Sequence, residues 1–304
     1  MVEIANPIYD IVFKYLMEDE RIAVIFLSAL LKKEVVSVEM RRNEYSNQTR
    51  DHLSNFRIDF GARVQEEDGS VRLILIELQK TWVETEILRF RQYMGVQYSN
   101  SENMQGSEES PYAIPMVSVY LLGHRVKGLK EPVLYVNRKC FDYDGNEVTD
   151  GLPDRFIDSL THDSIIVQIP RIGGRRFNRL ERVLSVFDQS LTGSSSQILN
   201  IDETTYGDDS DIHRIIGRLQ TAATNAEIRQ NMTVEEEFFS AIYNRDAKIA
   251  DRDATIAAKD ATIASNEAAI ANSVRLLLQS GVSMDRISES LKMDQQQIQA
   301  LLDK

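Results

Sequence analysis

Apolar residues recur at helical spacing near the start of the chain. Ile8, Ile11, Val12 and Leu16 fall on one stripe, which predicts helices over Tyr9 to Met17 and Glu20 to Leu31. The next segment, Val35 to Tyr45, fits a strand that leads into a polar loop through Ser54. Two strand-like runs follow, residues 55–64 and 71–79, separated by the turn-forming residues Glu66, Glu67, Asp68 and Gly69; together they predict a β-hairpin. A three-residue loop of Glu67, Asp68 and Gly69, with Gly69 in the left-handed region, places Asp59 directly opposite Glu77. Strand period two then puts Gln79 on that same face and Lys80 on the other.

Residues Thr81 to Ser99 read as a helix in which Arg89 and Tyr93 lie one above the other. The stretch from Asn100 to Ser110, rich in Ser, Glu and Asn, reads as a mobile loop. Ile114 to Leu122 reads as a buried strand, Val133 to Tyr143 as another with a turn, and Ile165 to Ile169 as a further strand closed by Pro170. Strands interleaved with helices predict an α/β fold with a mixed central sheet flanked by helices. We assign that domain to residues 1–190 and read residues 191–245 as a linker and helical connector.

The remaining chain differs in kind. Residues 246–273 are four near-identical heptads, with Ile249, Ile256, Ile263 and Ile270 at strict seven-residue spacing. They predict a helix of roughly 42 Å that supercoils left-handedly if it finds a partner. The second seam position holds Arg, Lys, Asn and Ser, or else Asp and Glu, so pairing rests on Ile and Ala contacts and is weak. A homodimer or higher homo-oligomer is one expectation and a solvated spacer helix the other. In residues 274–304, Leu278, Val282, Ile287, Leu291, Ile298 and Leu301 fit a small helix-turn-helix-like tail. Ser283 and Asp294 are its candidate N-caps, and Asp294 with Gln297 matches a capping box.

Composition narrows the class. With 304 residues, 42% hydrophobic and 27% charged, the chain can build a real core. No apolar run reaches the roughly 20 residues of a membrane span, and the first residues lack the basic then apolar order of a signal peptide; a cytoplasmic protein with no membrane partner is expected. The single Cys140 excludes an internal disulfide, and four scattered histidines give no zinc spacing. A net charge of −12 argues against nonspecific nucleic-acid binding by the chain as a whole, because Lys and Arg supply most of that affinity. Five arginines nevertheless concentrate in a Gly-Gly turn and the helix after it: Arg171, Arg175, Arg176, Arg179 and Arg182. They are a candidate phosphate-tracking patch, with pairing to nearby acids as the alternative.

The hairpin carries the candidate chemistry. A hard cation such as Mg²⁺ takes oxygen ligands and keeps several waters, so about two carboxylates plus substrate phosphate suffice; Asp59 and Glu77 supply that pair. Such a cation activates water and neutralises charge on a scissile phosphate. On spacing alone the alternative stands beside it: Glu77 ends an apolar run by reaching solvent, and Asp59 pairs with Arg57 or Arg63. Lys14, four residues after Asp10, is a second candidate cation besides Lys80, or a surface lysine in an i,i+4 pair.

From Asn6 to Tyr98 the chain resembles the PD-(D/E)XK nuclease family transposases, the group that includes recombination-promoting nucleases. The matching residues are those from Tyr9 to Lys14, Phe26 to Leu31, Arg57 to Phe60, Asp68 with Gly69, Ile76 to Lys80, and Arg89 to Tyr93. Their order and spacing carry the resemblance. It implies a restriction-endonuclease-like fold and a Mg²⁺- or Mn²⁺-dependent DNA endonuclease in recombination or transposition. Asp59 and Glu77 are then the metal ligands, the Leu78 carbonyl completes the site, and Asp10 is a further acidic member. Gln79 stands where the wider superfamily has lysine; a neutral amide orients water or phosphate but adds no positive charge. The helix carrying Arg89 and Tyr93 packs beside the site in that family, so both approach substrate. Two alternatives stay open: a catalytically silent, nuclease-derived binding or assembly protein, and an RNA-directed nuclease.

Overall fold

Residues 1–41, 56–81, 87–107, 110–152, 154–193 and 195–303 are described from a computed structural model of the chain. It opens with β1 (Val2–Ala5), α1 (Asp10–Met17) and α2 (Glu20–Leu31). Three longer strands follow, β2 (Val35–Arg41), β3 (Phe56–Gln65) and β4 (Val71–Thr81), then α3 (Ile87–Ser99). Next come β5 (Met104–Ser107), β6 (Ser110–Ala113), β7 (Met116–Leu122), β8 (Val133–Val136), β9 (Cys140–Phe141) and β10 (Glu147–Val148). The series continues with α4 (Arg155–Leu160), β11 (Asp163–Gln168), α5 (Arg179–Leu184), β12 (Ile198–Ile201), α6 (Ser210–Thr224) and α7 (Ala226–Gln279), and ends with α8 (Met284–Leu291) and α9 (Gln295–Leu302).

Six strands form one mixed sheet in the order β2-β3-β4-β7-β11-β8. Its centre, β4-β7-β11, is parallel, and the outer pairs are antiparallel. Period two separates two faces. One face carries Phe60, Ala62 and Val64 of β3, Ile74 and Ile76 of β4, Val119 and Leu121 of β7, and Ile165 and Val167 of β11, all in the main core. Helices α1, α2, α5 and α6 pack on it, and Phe13, Phe26 and Phe187 meet with ring centroids 5.7 to 6.0 Å apart. The second face holds a small cluster, Leu75, Met116 and Ile114 with Met94 of α3.

Local signals explain the boundaries of the helices. Asp19 accepts from the Ile22 amide to cap α2, and Lys32 at φ 54° ends it in the left-handed region. Predicted and observed α2 coincide. The final strand of the first unit, β12, pairs antiparallel with β1, and α6 buries Ile212, Ile215, Ile216 and Leu219. The first turns of α7 add Ile228, Met232 and a buried Glu235. Residues 191–238 therefore complete a compact unit, Met1–Phe238, instead of linking it to the tail, and the second unit is Phe239–Lys304.

Other expectations shift. The stretch from Asn100 to Ser110 is not a plain loop. A short 3₁₀ turn, Ser101–Asn103, leads into the β5-β6 hairpin, and buried Asn103 donates to the Gln97 carbonyl and side chain. The predicted strand from Val133 to Tyr143 divides into β8 and β9, after which Asp142 accepts from the Asp144 and Asn146 amides and Gly145 takes φ 86°. Of the helix expected from Thr81 to Ser99 the described part is Ile87–Ser99, and Thr81 itself belongs to β4. The predicted segments 42–55 and 82–86 lie outside the described residues.

In the second unit α7 runs on through the heptads. Ile270, Leu278, Val282, Met284, Met293 and Leu302 surround buried Val274, Ile287 and Ile298, so α8 and α9 fold back on the end of α7. Asp294 and Gln297 form the predicted capping box. Ser283 holds the N-cap position of α8, but its side chain makes no cap hydrogen bond. No described helix is long and apolar enough to cross a membrane.

Candidate active site on the second face of the sheet

The β3-β4 turn has the predicted form. Glu66 N–H donates to the Ser70 carbonyl at 2.9 Å, Gly69 sits at φ 81°, and Asp68 accepts from the Ser70 amide and hydroxyl. Counting from it, the ladder places Asp59 opposite Glu77 and Arg57 opposite Gln79, without a register shift from Phe56 to Gln65. Directly opposed residues share a face of the pleat, so the Asp59 and Glu77 positions lie on the second face, the one α3 covers. The side chains of Asp59, Glu77, Gln79, Lys80, Arg89 and Tyr93 lie outside the described residues.

The same two rows continue across the sheet. Glu77 is in register with Ser118 and, through it, Ser164; Gln79 is in register with Tyr120 and, through it, Ile166. Ser118 is fully buried and its hydroxyl lies 2.7 Å from that of Ser164. Tyr120 packs on Phe90 of α3, with ring centroids 5.2 Å apart. In the last turn of α3 the Tyr98 hydroxyl meets His162 Nδ1 at 2.6 Å, and burial, followed by the Arg138 charge, holds the His162 ring below its usual pKa. Ser118, Tyr120 and Ser164 were missed in the sequence. Their signal was there: Ser118 and Tyr120 alternate with Val117, Val119 and Leu121, the mark of a strand with one polar-tolerant face.

Other candidates fall elsewhere. Lys80 is in register with Phe56 and Leu121, in a row belonging to the core face, and the unbroken ladder offers no bulge that would return it. Leu78 lies between Ile58 and Val119 in the ladder. Asp10 and Lys14 are on α1, which packs on the core face; Lys14 is exposed. The Asp10 amide donates to both carboxylate oxygens of Glu235 at 2.8 and 2.9 Å, an anion placed at a helix N-terminus.

Three arginines of the patch pair with nearby acids. Arg175 pairs with Glu181 at 3.0 Å, Arg179 with Asp209 and Asp211, and Arg182 with Asp209 at 2.9 Å and the Tyr206 carbonyl. Arg176 lies over the Tyr206 ring and Arg171 donates to Gln168. At Asp209 burial alone would raise the pKa, but the Ile212 amide, Arg179 and Arg182 outweigh it and hold the carboxyl low. Arg179 and Arg182 tie α5 to the start of α6.

A cavity of about 650 Å³ opens at the turn end of the hairpin, the opposite end of the ladder from Asp59, and is lined by Asp68, Arg72, Tyr112, Arg155 and Asp158. Arg72 is ion-paired to Asp158 and Arg155 lies over the Tyr112 ring. Among the described residues no group of three or more His, Cys, Asp or Glu could hold a metal ion.

No family model, curated protein or solved structure matches this chain. The functional reading therefore rests on the ladder itself.

Proposed function

We propose that the chain is a metal-dependent endonuclease of restriction-endonuclease-like fold that cleaves DNA, with Mg²⁺ or Mn²⁺ held by Asp59 and Glu77. One observation carries the proposal: the unshifted β3-β4 ladder puts these two acidic positions directly opposite each other, with Gln79 two residues on and therefore on the same face. Two opposed carboxylates on adjacent strands suit a hard cation that takes oxygen ligands and keeps several waters. Without a cation, two neighbouring ionised carboxylates repel.

The bound ion supplies Lewis-acid stabilisation of the charge that builds on a scissile phosphate. The residues of the chain do the rest. Asp59 and Glu77 bind and fix position, with the Leu78 carbonyl as a third oxygen between them and Gln79. The Gln79 amide both donates and accepts, so it orients water or a phosphate oxygen without adding charge. Arg89 and Tyr93, on the helix that covers this face, are assigned to the substrate backbone. Asp10 and Lys14 stand on α1 against the core face, so the proposal gives the metal no ligand from α1.

Incubating the purified chain with supercoiled plasmid and Mg²⁺ tests this. Asp59→Ala and Glu77→Ala should each slow nicking by about 100-fold or more, the loss of several kcal/mol of transition-state stabilisation. Nicking by either variant at the parental rate sinks the assignment, and a parallel single-stranded RNA substrate shows whether RNA is preferred.

A further inference from the structure

Ile249, Ile256 and Ile263 are 48, 56 and 54% exposed on α7, a helix of 54 residues. Scattered exposed isoleucines are ordinary; a strict seven-residue series is not. The stripe does not stop at Ile263. Its continuation, Ile270, Val274 and Leu278, is what α8 and α9 cover through Ile287 and Ile298. One end of the apolar line is thus buried within the chain and the other is left open.

The charges beside the open end say what covers it. When a helix is under-wound to 3.5 residues per turn, residues at i+3 and i+4 lie about 50° to either side of the line through i and i+7. One flank of the isoleucine line then carries Arg252, Lys259 and Asn266, and the other Asp253, Asp260 and Glu267. Arg252, Asp253, Lys259 and Asp260 are all exposed, and none has an opposite charge three or four residues away on its own helix. Adjacent residues such as Arg252 and Asp253 do not face each other along one helix.

We infer that this segment of α7 pairs with a second copy of the chain as a parallel, in-register two-helix coiled coil. A two-fold axis along parallel helices brings the basic flank of one beside the acidic flank of the other. Between successive isoleucine layers Arg252 then meets the partner's Asp253, and Lys259 meets the partner's Asp260, each twice by symmetry. Asn266 lies beside the partner's Glu267 and can donate to it. An antiparallel pair centred on Ile256 does the reverse: Arg252 falls beside the partner's Lys259, and Asp253 beside the partner's Asp260. Charge therefore selects the orientation, and the polar layers that weaken the seam also specify it. The inference stands whether or not the chain cuts nucleic acid.

The test uses the full chain. Sedimentation equilibrium of the parent should give twice the chain mass. In a Cys140→Ser background, Ile249→Cys alone and Ile263→Cys alone should each form a disulfide-linked dimer under mild oxidation. Arg252→Glu should raise the dimer dissociation constant by about tenfold, since two pairs turn repulsive, and adding Asp253→Lys should restore it. Circular dichroism at unchanged helicity separates lost pairing from lost folding. A parent that stays monomeric overturns the inference. So does cross-linking only when the Ile249→Cys and Ile263→Cys chains are mixed, or tighter association of Arg252→Glu, because either result means antiparallel helices.

Discussion

Ile76, Ile165 and Ile215 are at most 4% exposed in the sheet core, whereas Ile249, Ile256 and Ile263 on the heptad helix keep about half their surface in water. The side chains are identical, so the difference lies in what surrounds them along the chain. In the first unit, periods of 2 and 3.6 place apolar residues on faces that other elements of the same chain can cover. On α7 the period is seven, the flanking positions are charged, and only Ile270 reaches a region where α8 and α9 supply a matching surface. Apolar content alone says nothing about whether the complement is internal.

Three perturbations sharpen that contrast. Phe26→Ala removes a ring that packs on both Phe13 and Phe187, and should destabilise the first unit by about 3–5 kcal/mol, read as a shift in the urea midpoint. A loss under about 1 kcal/mol would mean that this core is loosely packed.

Asp19→Ala is expected to cost about 1–2 kcal/mol, most of it from the lost cap of α2, because Arg214 is partly exposed and its ion pair adds little. The effect depends on pH. Burial alone would raise the Asp19 pKa, but the Arg214 hydrogen bond, the Ile22 amide and the charges of Arg214 and Arg218 bring it below the ordinary 3.8. A depressed folded pKa contributes stability above the unfolded value, and that contribution is lost as pH falls through the folded one. The gap between parent and Asp19→Ala should therefore be constant near neutrality and narrow in acid below about pH 4. A gap that widens in acid contradicts the ion pair.

Ile263→Ser is the smallest. In a chain diluted below dimer formation it should change stability by less than about 0.5 kcal/mol, as exposed substitutions do, while still weakening self-association at high concentration. A large monomer effect would place Ile263 in an internal contact instead of on an open face.

What could be read beforehand follows the range of the interactions. The hairpin register was legible because a loop of known length ending in a left-handed glycine fixes every pair behind it, so the Asp59 and Glu77 alignment came from counting residues. The α2 boundaries and the Asp294 capping box were legible for the same local reason. The pairing of β1 with β12 was not, since each strand has four residues and nothing nearby marks its mate. The partners of the arginine patch were hidden likewise, because Asp209 and Asp211 arrive from a segment about thirty residues on. The β5-β6 hairpin was missed because its polar residues mimic a loop. Ser118 and Tyr120 were passed over because the apolar residues around them dominate the strand.

The bond from Asp10 to Glu235 spans 225 residues. During synthesis at roughly 5–20 residues per second, the first turn of α1 leaves the ribosome some 10–45 s before the carboxylate that holds it. The strand mate of β1 is similarly late. The amino-terminal helices can collapse on the central sheet before then, but the first unit closes only once the root of α7 has emerged. A nascent chain halted before Glu235 should therefore remain sensitive to protease around β1 and α1.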